Sequence, residues 1–402
     1  MRPKIFTFRN FLLALAALGI LGGLAFWVYR GFPLPFVGVP STAGKIAFVW
    51  EKDGQSDIYL GSATGGEPTQ LTRDTTLESE LAFSADGQHL VFTEDHGLSG
   101  VRQVCLTEAA PGRRQITLTV NESTKEQPYF RGDRDLFFLD SGKIGRTTTD
   151  ASDSDAIFPT VEGKRDNVAL AALFAEGGIS QYAVSLDGET ILAAVKREHG
   201  HVLVVYQVQE KFLALLGSSQ DLRFQALKDG SFVVLFTGGA PLKEAMQIPN
   251  PKTEEEKQMA SEQMGKLLNQ LSSQNDAMEG KSVLVHFDAK LAPQSIIPLP
   301  FIADGFSVAP DSKMLAIYIS EARDGKSAGL FVGNITAQDP PTLLYDKPVS
   351  AVTWSPDSAA LAFVADKELL VTPATGTDTP INLTQGKGKA SSPVWSPIPV
   401  KK

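Results

Sequence analysis

The chain has 402 residues, 43% of them hydrophobic, and a formal net charge of −9. That length can bury a large core. The acidic balance, without a Lys/Arg run or basic stripe, excludes a nucleic-acid surface, which needs clustered cations to displace counterions.

A single cysteine, Cys105, excludes an intramolecular disulfide. Within the apolar alternation Val101 to Leu106 it reads as a small buried hydrophobe rather than a nucleophile.

The first element in the chain is Phe11–Tyr29, 19 residues without a charge, close to the ~20 that a helix needs to cross a bilayer. Arg2, Lys4 and Arg9 precede it and Arg30 follows. The positive-inside bias therefore predicts a cytoplasmic tail at 1–10, a transmembrane helix at 11–29 and everything later outside the cytoplasm. Trp27 and Tyr29 sit at the exit, where amphipathic rings favour the headgroup region. The rival reading is a signal peptide with an apolar region at Phe11–Gly22 and small residues at Gly23-Leu24-Ala25. Gly19 and Gly23 form a Gly-x-x-x-Gly spacing that lets two such helices approach closely. Residues 30–43 hold three prolines, which suits a stiff extended tether.

From Lys45 onward a unit recurs: an apolar strand, a tight turn at an aspartate, then a second aliphatic and aromatic strand. The turns fall at Asp86, Asp187, Asp229, Asp311 and Asp357, with a weaker copy at Asp133. Their spacings are 47, 54, 42, 82 and 46 residues, against ~40–50 for a four-stranded blade. Removing residues 240–281 from the long interval leaves 40 and restores the period. Each turn aspartate reads as structural, its carboxylate accepting backbone N–H groups of its own hairpin.

The chain ends on a first strand, Pro393 to Trp395, with its turn but no second strand. It begins with Lys45–Trp50, Asp57–Leu60 and Pro68–Thr72, which read as the later strands of a unit lacking its first. Joining the ends protects open strand edges. The expected fold is all-β, a seven-bladed β-propeller with six or eight as neighbouring counts, spanning 44–402.

Residues 240–281 interrupt the fifth blade between Ser231–Phe236 and Ser282–Phe287. Thr253-Glu-Glu-Glu256 is a capping box that predicts a helix to about Ser272, with Ala260, Met264, Leu267, Leu268 and Leu271 on one stripe. Met246, Met259, Met264 and Met278 cluster here, and flexible thioethers suit adaptable contacts. Met259, Met264, Leu267, Leu268 and Leu271 are thus candidate partner-binding residues. The alternative is that the stripe folds back on the propeller rim. Both readings keep the segment outside the main core, so deleting 240–281 is expected to leave a folded domain.

Chemistry-bearing motifs are sparse. Gly325-Lys-Ser327-Ala-Gly329 matches a nucleophile-elbow pattern, but the following Leu330-Phe-Val reads as a strand rather than a helix. His199 and His201 lack a matching Cys/His cluster. Asp150, Asp153 and Asp155 lack the glycine and terminal glutamate of a calcium loop. Asn121, Asn334 and Asn382 fit glycosylation sequons, relevant where exported proteins are modified. Neither a phosphate-binding nor a dinucleotide fingerprint is present. No catalytic residue, cofactor or metal is expected.

Trp354-Ser-Pro-Asp357, Phe83-Ser-Ala-Asp86-Gly, Asp57-Ile-Tyr-Leu60 and Leu71-Thr-Arg resemble the repeat of TolB-like, WD-type propellers, also found beside prolyl-oligopeptidase-type hydrolases. The likeness covers most of 44–402 and is faint at 129 and 223. It implies a propeller used as a periplasmic interaction platform, a sensor or a substrate gate. The family's type member carries an extra amino-terminal domain and six blades, whereas this chain reads as an anchor and seven.

The resulting expectation is a non-enzymatic scaffold, single-pass in the inner (cytoplasmic) membrane, its propeller in the periplasm or extracellular space, engaging another envelope or membrane protein. The alternative is a propeller that binds or hydrolyses a carbohydrate, peptide or lactone in its channel.

Overall fold

The computed structural model describes residues 44–95, 100–159, 168–209, 212–248, 253–277, 280–323, 328–336, 340–376 and 379–397. They belong to the unit Pro40–Lys402. The anchor and tether read at 11–29 and 30–43 lie outside them, as do Met278 and most of the Gly325–Gly329 motif. No helix of the described residues is long and apolar enough to cross a membrane.

Alternating apolar runs separated by aspartate or glycine turns form antiparallel sheets. The closing sheet sets Lys389–Trp395 beside Lys45–Lys52, then Gln55–Ser62 and Thr69–Gln70. Ile46 faces Trp395 and Trp50 faces Ala390 across the pair. The second sheet starts with Leu77–Phe83, the third with Lys125–Arg131, the next with Ile179–Val184, and two later four-stranded sheets with Gly305–Val308 and Val349–Trp354.

These first strands neighbour one another in cyclic order. Lys389–Trp395 lies beside Leu77–Phe83, which lies beside Lys125–Arg131. Hydrogen bonds link that strand to Ile179–Val184. The order continues through Phe212–Ala226, Gly305–Val308 and Val349–Trp354 back to Lys389–Trp395. Apolar faces pack between successive sheets, as where Ala47, Val49 and Ile58 meet Leu81, Leu90 and Phe92.

At each first hairpin the aspartate closes its own turn. Gln88 N donates to Asp86 Oδ1 at 2.9 Å, Glu189 N to Asp187 at 2.9 Å, Ser231 N to Asp229 at 3.0 Å, Lys313 N to Asp311 at 2.9 Å and Ala359 N to Asp357 at 3.2 Å. Turns also bridge sheets: Asp86 N donates to Asp133 Oδ1 at 2.8 Å, and Asp311 N to Ser358 Oγ at 3.1 Å.

The hydroxyls of Ser185 and Ser231 hold the Asp187 and Asp229 carboxyls below their usual range. A carboxyl lowered by folding contributes stability at pH values above about 4 and loses it as pH falls. Asp187→Ala and Asp229→Ala are each expected to cost about 1 kcal/mol, and the cost shrinks below pH 4 in urea titrations.

The segment read as an insertion departs from its expected form. The strand beginning at Phe232 does not end near Phe236 but runs to Gln247, and its partner is nearly as long, Phe212–Ala226. Their near halves pair Asp221 with Thr237 through Ala226 with Phe232, while their far halves pair Ser219 with Gly239 and Ala214 with Gln247. The two strands therefore run together from one four-stranded set into the next, fusing both into a seven-stranded sheet.

The helix spans Glu254–Ala277, longer than expected. Its capping box is formed: Glu256 N donates to Thr253 Oγ1 at 3.2 Å, and Thr253 N to Glu256 Oε2 at 3.1 Å. Its stripe does not stand clear of the core. Ala260, Met264 and Leu268 join a core cluster with Phe137, Leu173 and Leu215. Part of that cluster is a short helix, Val168–Leu173, that the sequence signals did not reveal. Arg197 Nη1 donates to its last carbonyls, Ala172 O at 2.9 Å and Leu173 O at 3.0 Å. The strand to Gln247 and the helix stripe at Ala260, Met264 and Leu268 are thus part of the packing between two sheets. Deleting 240–281 would remove strand pairing and core side chains together, so a loss of stability is expected in place of an intact domain.

Candidate functional site: the channel and its mouth

The first strands converge on a central channel, and bulges shape its wall. Register shifts fall between Ser79 and Ala82 and between Glu126 and Tyr129. At these bulges Glu80 and Gln127 take positive φ values of 55° and 52°, an uncommon conformation for side chains with a Cβ.

The bulged residues bridge neighbouring strands. Gln127 N donates to Glu80 Oε2 at 2.9 Å, Gln127 Nε2 to Ser180 O at 2.8 Å, and Tyr182 Oη to Gln127 O at 2.7 Å. Farther round, Val308 N donates to Gln225 Oε1 at 2.9 Å and Trp354 Nε1 to Ser307 O at 2.9 Å. Burial pushes the Tyr182 phenol well above its usual range, so it stays a donor.

Charged groups around the channel are likewise engaged. Arg102 reaches Glu80 and Glu126, Arg223 pairs with Asp221 at 3.3 Å, and Arg323 with Asp304 at 3.0 Å. The cavity beside these groups, about 440 Å³, is bounded by Leu81, Pro128, Tyr129, Tyr182 and Phe224.

At one end the channel opens into a funnel of about 350 Å³ lined by Tyr129, Leu186, Lys228, Pro310, Pro356 and Pro397. Leu186 is 50% exposed and Tyr129 36%. Four of these residues, Leu186, Lys228, Pro310 and Pro356, each immediately precede a turn aspartate. Four of the inner strands thus deliver one side chain to the mouth just before their turns. Sequence reading passed over this ring because it assigned those positions to turn chemistry. The repeat register carried the signal: the residue before the aspartate is apolar at three of these four turns.

The residues singled out from sequence lie elsewhere. Met264, Leu268 and Leu271 are buried within the chain and Leu267 is half-buried against the same cluster, so of the five helix candidates Met259 is the exposed one, at 49%. Met246 is also exposed. His201 Nδ1 lies 3.0 Å from Gln220 O, and His199 is exposed. Asp150 accepts from Thr148 Oγ1 at 2.6 Å and from Ser152 Oγ at 2.7 Å, while Asp153 pairs with Arg146 at 3.4 Å. Cys105 is buried and its Sγ donates to Glu94 Oε2 at 2.9 Å. Burial pushes that thiol up, which keeps it protonated. Among the described residues no group of three or more His, Cys, Asp or Glu side chains is arranged to hold a metal ion.

No family model matches the sequence, and no characterised protein matches it. Among solved structures the chain is similar to TolB from Acinetobacter baumannii, at 13% identity over 92% of this chain and 70% of that one, with a TM-score of 0.48. It is also similar to oligogalacturonate lyase from Vibrio parahaemolyticus, at 11% identity over 85% and 86% of the two chains, with a TM-score of 0.49. A chain of the mitotic checkpoint complex shares 10% identity over 82% of this chain and 83% of its own length, with a TM-score of 0.50. At such identities the likeness speaks for fold, and function has to be argued from the site. With its sheets in cyclic order, the fold is a β-propeller.

Proposed function

We propose that this chain is an interaction propeller of seven blades, closed by its own two ends and anchored outside the cytoplasm by Phe11–Tyr29, which docks a partner protein of the same envelope at the channel mouth. The blade count takes the seven-stranded sheet as two blades sharing the long strands Phe212–Ala226 and Phe232–Gln247. The anchor and its orientation rest on the uncharged stretch and the basic residues before it.

The observation that carries the reading is the contrast between channel and mouth. Within the channel the polar groups named above are engaged by one another, whereas the mouth presents apolar side chains to solvent. A concave ring of Tyr129, Leu186 and three prolines, interspersed with Ser312, Thr353 and Lys228, suits an inserted side chain or chain segment of a protein partner. Catalysis would require a carboxylate or histidine with a free reactive atom facing the cavity, and Glu80 is held by Arg102 and Gln127 N.

The test uses the full chain in native membranes, carrying a photoreactive residue at Leu186 or, for comparison, at Gln263 on the exposed side of the long helix. The expected result is one defined protein adduct from position 186. Absence of any adduct there, with a small molecule copurifying instead, would favour a ligand-binding channel.

A further inference from the structure

The seam between the closing sheet and the second sheet buries three carboxyl groups and leaves one of their oxygens without a donor among the described residues. Asp57, Glu78 and Glu94 are 3%, 4% and 4% exposed. Asp57 accepts from Gln70 Nε2 at 2.8 Å and Gln55 Nε2 at 3.3 Å. Glu94 Oε2 accepts from Cys105 Sγ at 2.9 Å and from Gln115 Nε2. Glu78 Oε2 accepts from Thr72 Oγ1 at 2.9 Å, and the same hydroxyl accepts from Ile58 N at 2.8 Å. Glu78 Oε1 is buried and has no hydrogen-bond partner among the described residues.

The position is also crowded with like charge. Glu78 and Glu94 are direct partners across the Leu77–Phe83 and His89–Asp95 strands, where like charges oppose each other. From the closing sheet Asp57 faces the pair. The linking segment after Gln70 contributes Asp74 and Arg73, and the Arg102–Glu108 strand contributes the thiol of Cys105. Arg73 is exposed and acts on Asp57, so among the described residues no cation contacts Glu78 Oε1.

An ionised Glu78 would be a buried charge with one hydroxyl donor, which is costly. A proton on Oε1 removes the charge and makes that oxygen a donor towards a neighbouring acceptor. We propose that this seam is a proton-dependent joint: a proton held by Glu78 keeps the closing sheet seated against the second sheet, and its release loosens that contact.

The direction of titration agrees. Burial, with Asp74, Asp57 and Glu94 nearby, raises the Glu78 acid to about 8, against 4.5 ordinarily, the Thr72 hydroxyl opposing. An acid raised by folding contributes stability in full below its unfolded value near 4.5. The contribution declines as pH rises and is gone above about 8. The joint is therefore closed at neutral pH and loosens over the alkaline side. Because the closing sheet joins both ends of the chain, loosening here acts on the ring itself.

Hydrogen exchange on the full chain between pH 6.5 and 9.5 tests this, with Val349–Trp354 as internal reference for base catalysis. In the wild type, exchange in Gln55–Ser62 and Leu77–Phe83 relative to the reference is expected to rise about tenfold. In Glu78→Gln it is expected to stay flat. A flat ratio in the wild type, or an equal rise in both proteins, overturns the proposal. Should Glu78→Gln fail to fold, isotope-edited infrared titration of the wild-type Glu78 carboxyl decides. A midpoint near 8 supports the joint, and one in the ordinary carboxylate range overturns it.

Discussion

Gly239→Ala is expected to destabilise the domain by about 3 kcal/mol or more, although a glycine-to-alanine change in a strand ordinarily stabilises by restricting the unfolded chain. Gly239 sits opposite Ser219, where the two long strands pass from one blade to the next. A Cβ there would overlap Ser218 O and the Cα of Ser219, both backbone atoms that cannot rotate away. Relief requires separating the strands, which breaks pairing in both halves of the seven-stranded sheet. The same substitution at Gly265 should act in reverse. That glycine lies inside the Glu254–Ala277 helix and a Cβ meets nothing within 4 Å, so Gly265→Ala is expected to stabilise by about 0.5–1 kcal/mol. Urea unfolding of both variants checks the opposite signs, and a small or favourable effect at Gly239 would remove the strand crossing from the account.

Trp395→Ala is expected to cost about 3–5 kcal/mol and to cost more in practice than an equally buried aromatic in another blade. Trp395 is 7% exposed and packs with Ile46, Phe48, Trp50 and Tyr59, so its indole joins the last strand to the first. The rest of the closure is backbone pairing, the Ser396 N to Lys45 O bond at 2.8 Å, and the exposed Lys389–Glu51 ion pair at 2.7 Å. A surface pair of that kind contributes little. Once the tryptophan is gone, the Lys45–Lys52 edge is freed, and unpaired edges recruit other chains. Lower unfolding midpoints should therefore come with concentration-dependent aggregation. Phe287→Ala, buried away from the closing sheet, is the comparison: it should lower the midpoint without that concentration dependence.

Much of this architecture is legible in the sequence because its signals are local. An aspartate turn after an apolar strand specifies a hairpin whichever blade it occupies, and the unmatched strand signals at Lys45–Trp50 and Pro393–Trp395 point to one another. What escaped reading depends on distant partners. Gly238-Gly239 and Pro241 look like the end of a strand, yet the missing side chains let the strand twist past its neighbour and continue to Gln247. Val168–Leu173, at six residues, is too short to stand out from apolar filler. The helix stripe at Ala260, Met264 and Leu268 was visible, but whether it faces a partner or its own core depends on where the preceding strand ends. Glu78 and Glu94 become neighbours only once the hairpin register is known. The mouth needed the ring itself, since Leu186, Pro310 and Pro356 are far apart in sequence and meet only through the cyclic order of the inner strands.

The proposed docking site is the mouth rather than the helix. Equilibrium binding of the cross-linked partner to the full chain, compared between Leu186→Asp and Met259→Asp, tests it directly. A charge in the apolar funnel is expected to weaken binding at least about tenfold, the loss typical of a buried contact residue, while Met259→Asp binds as the wild type does. Unchanged affinity in Leu186→Asp together with a loss in Met259→Asp would contradict the account and move the docking site to the helix.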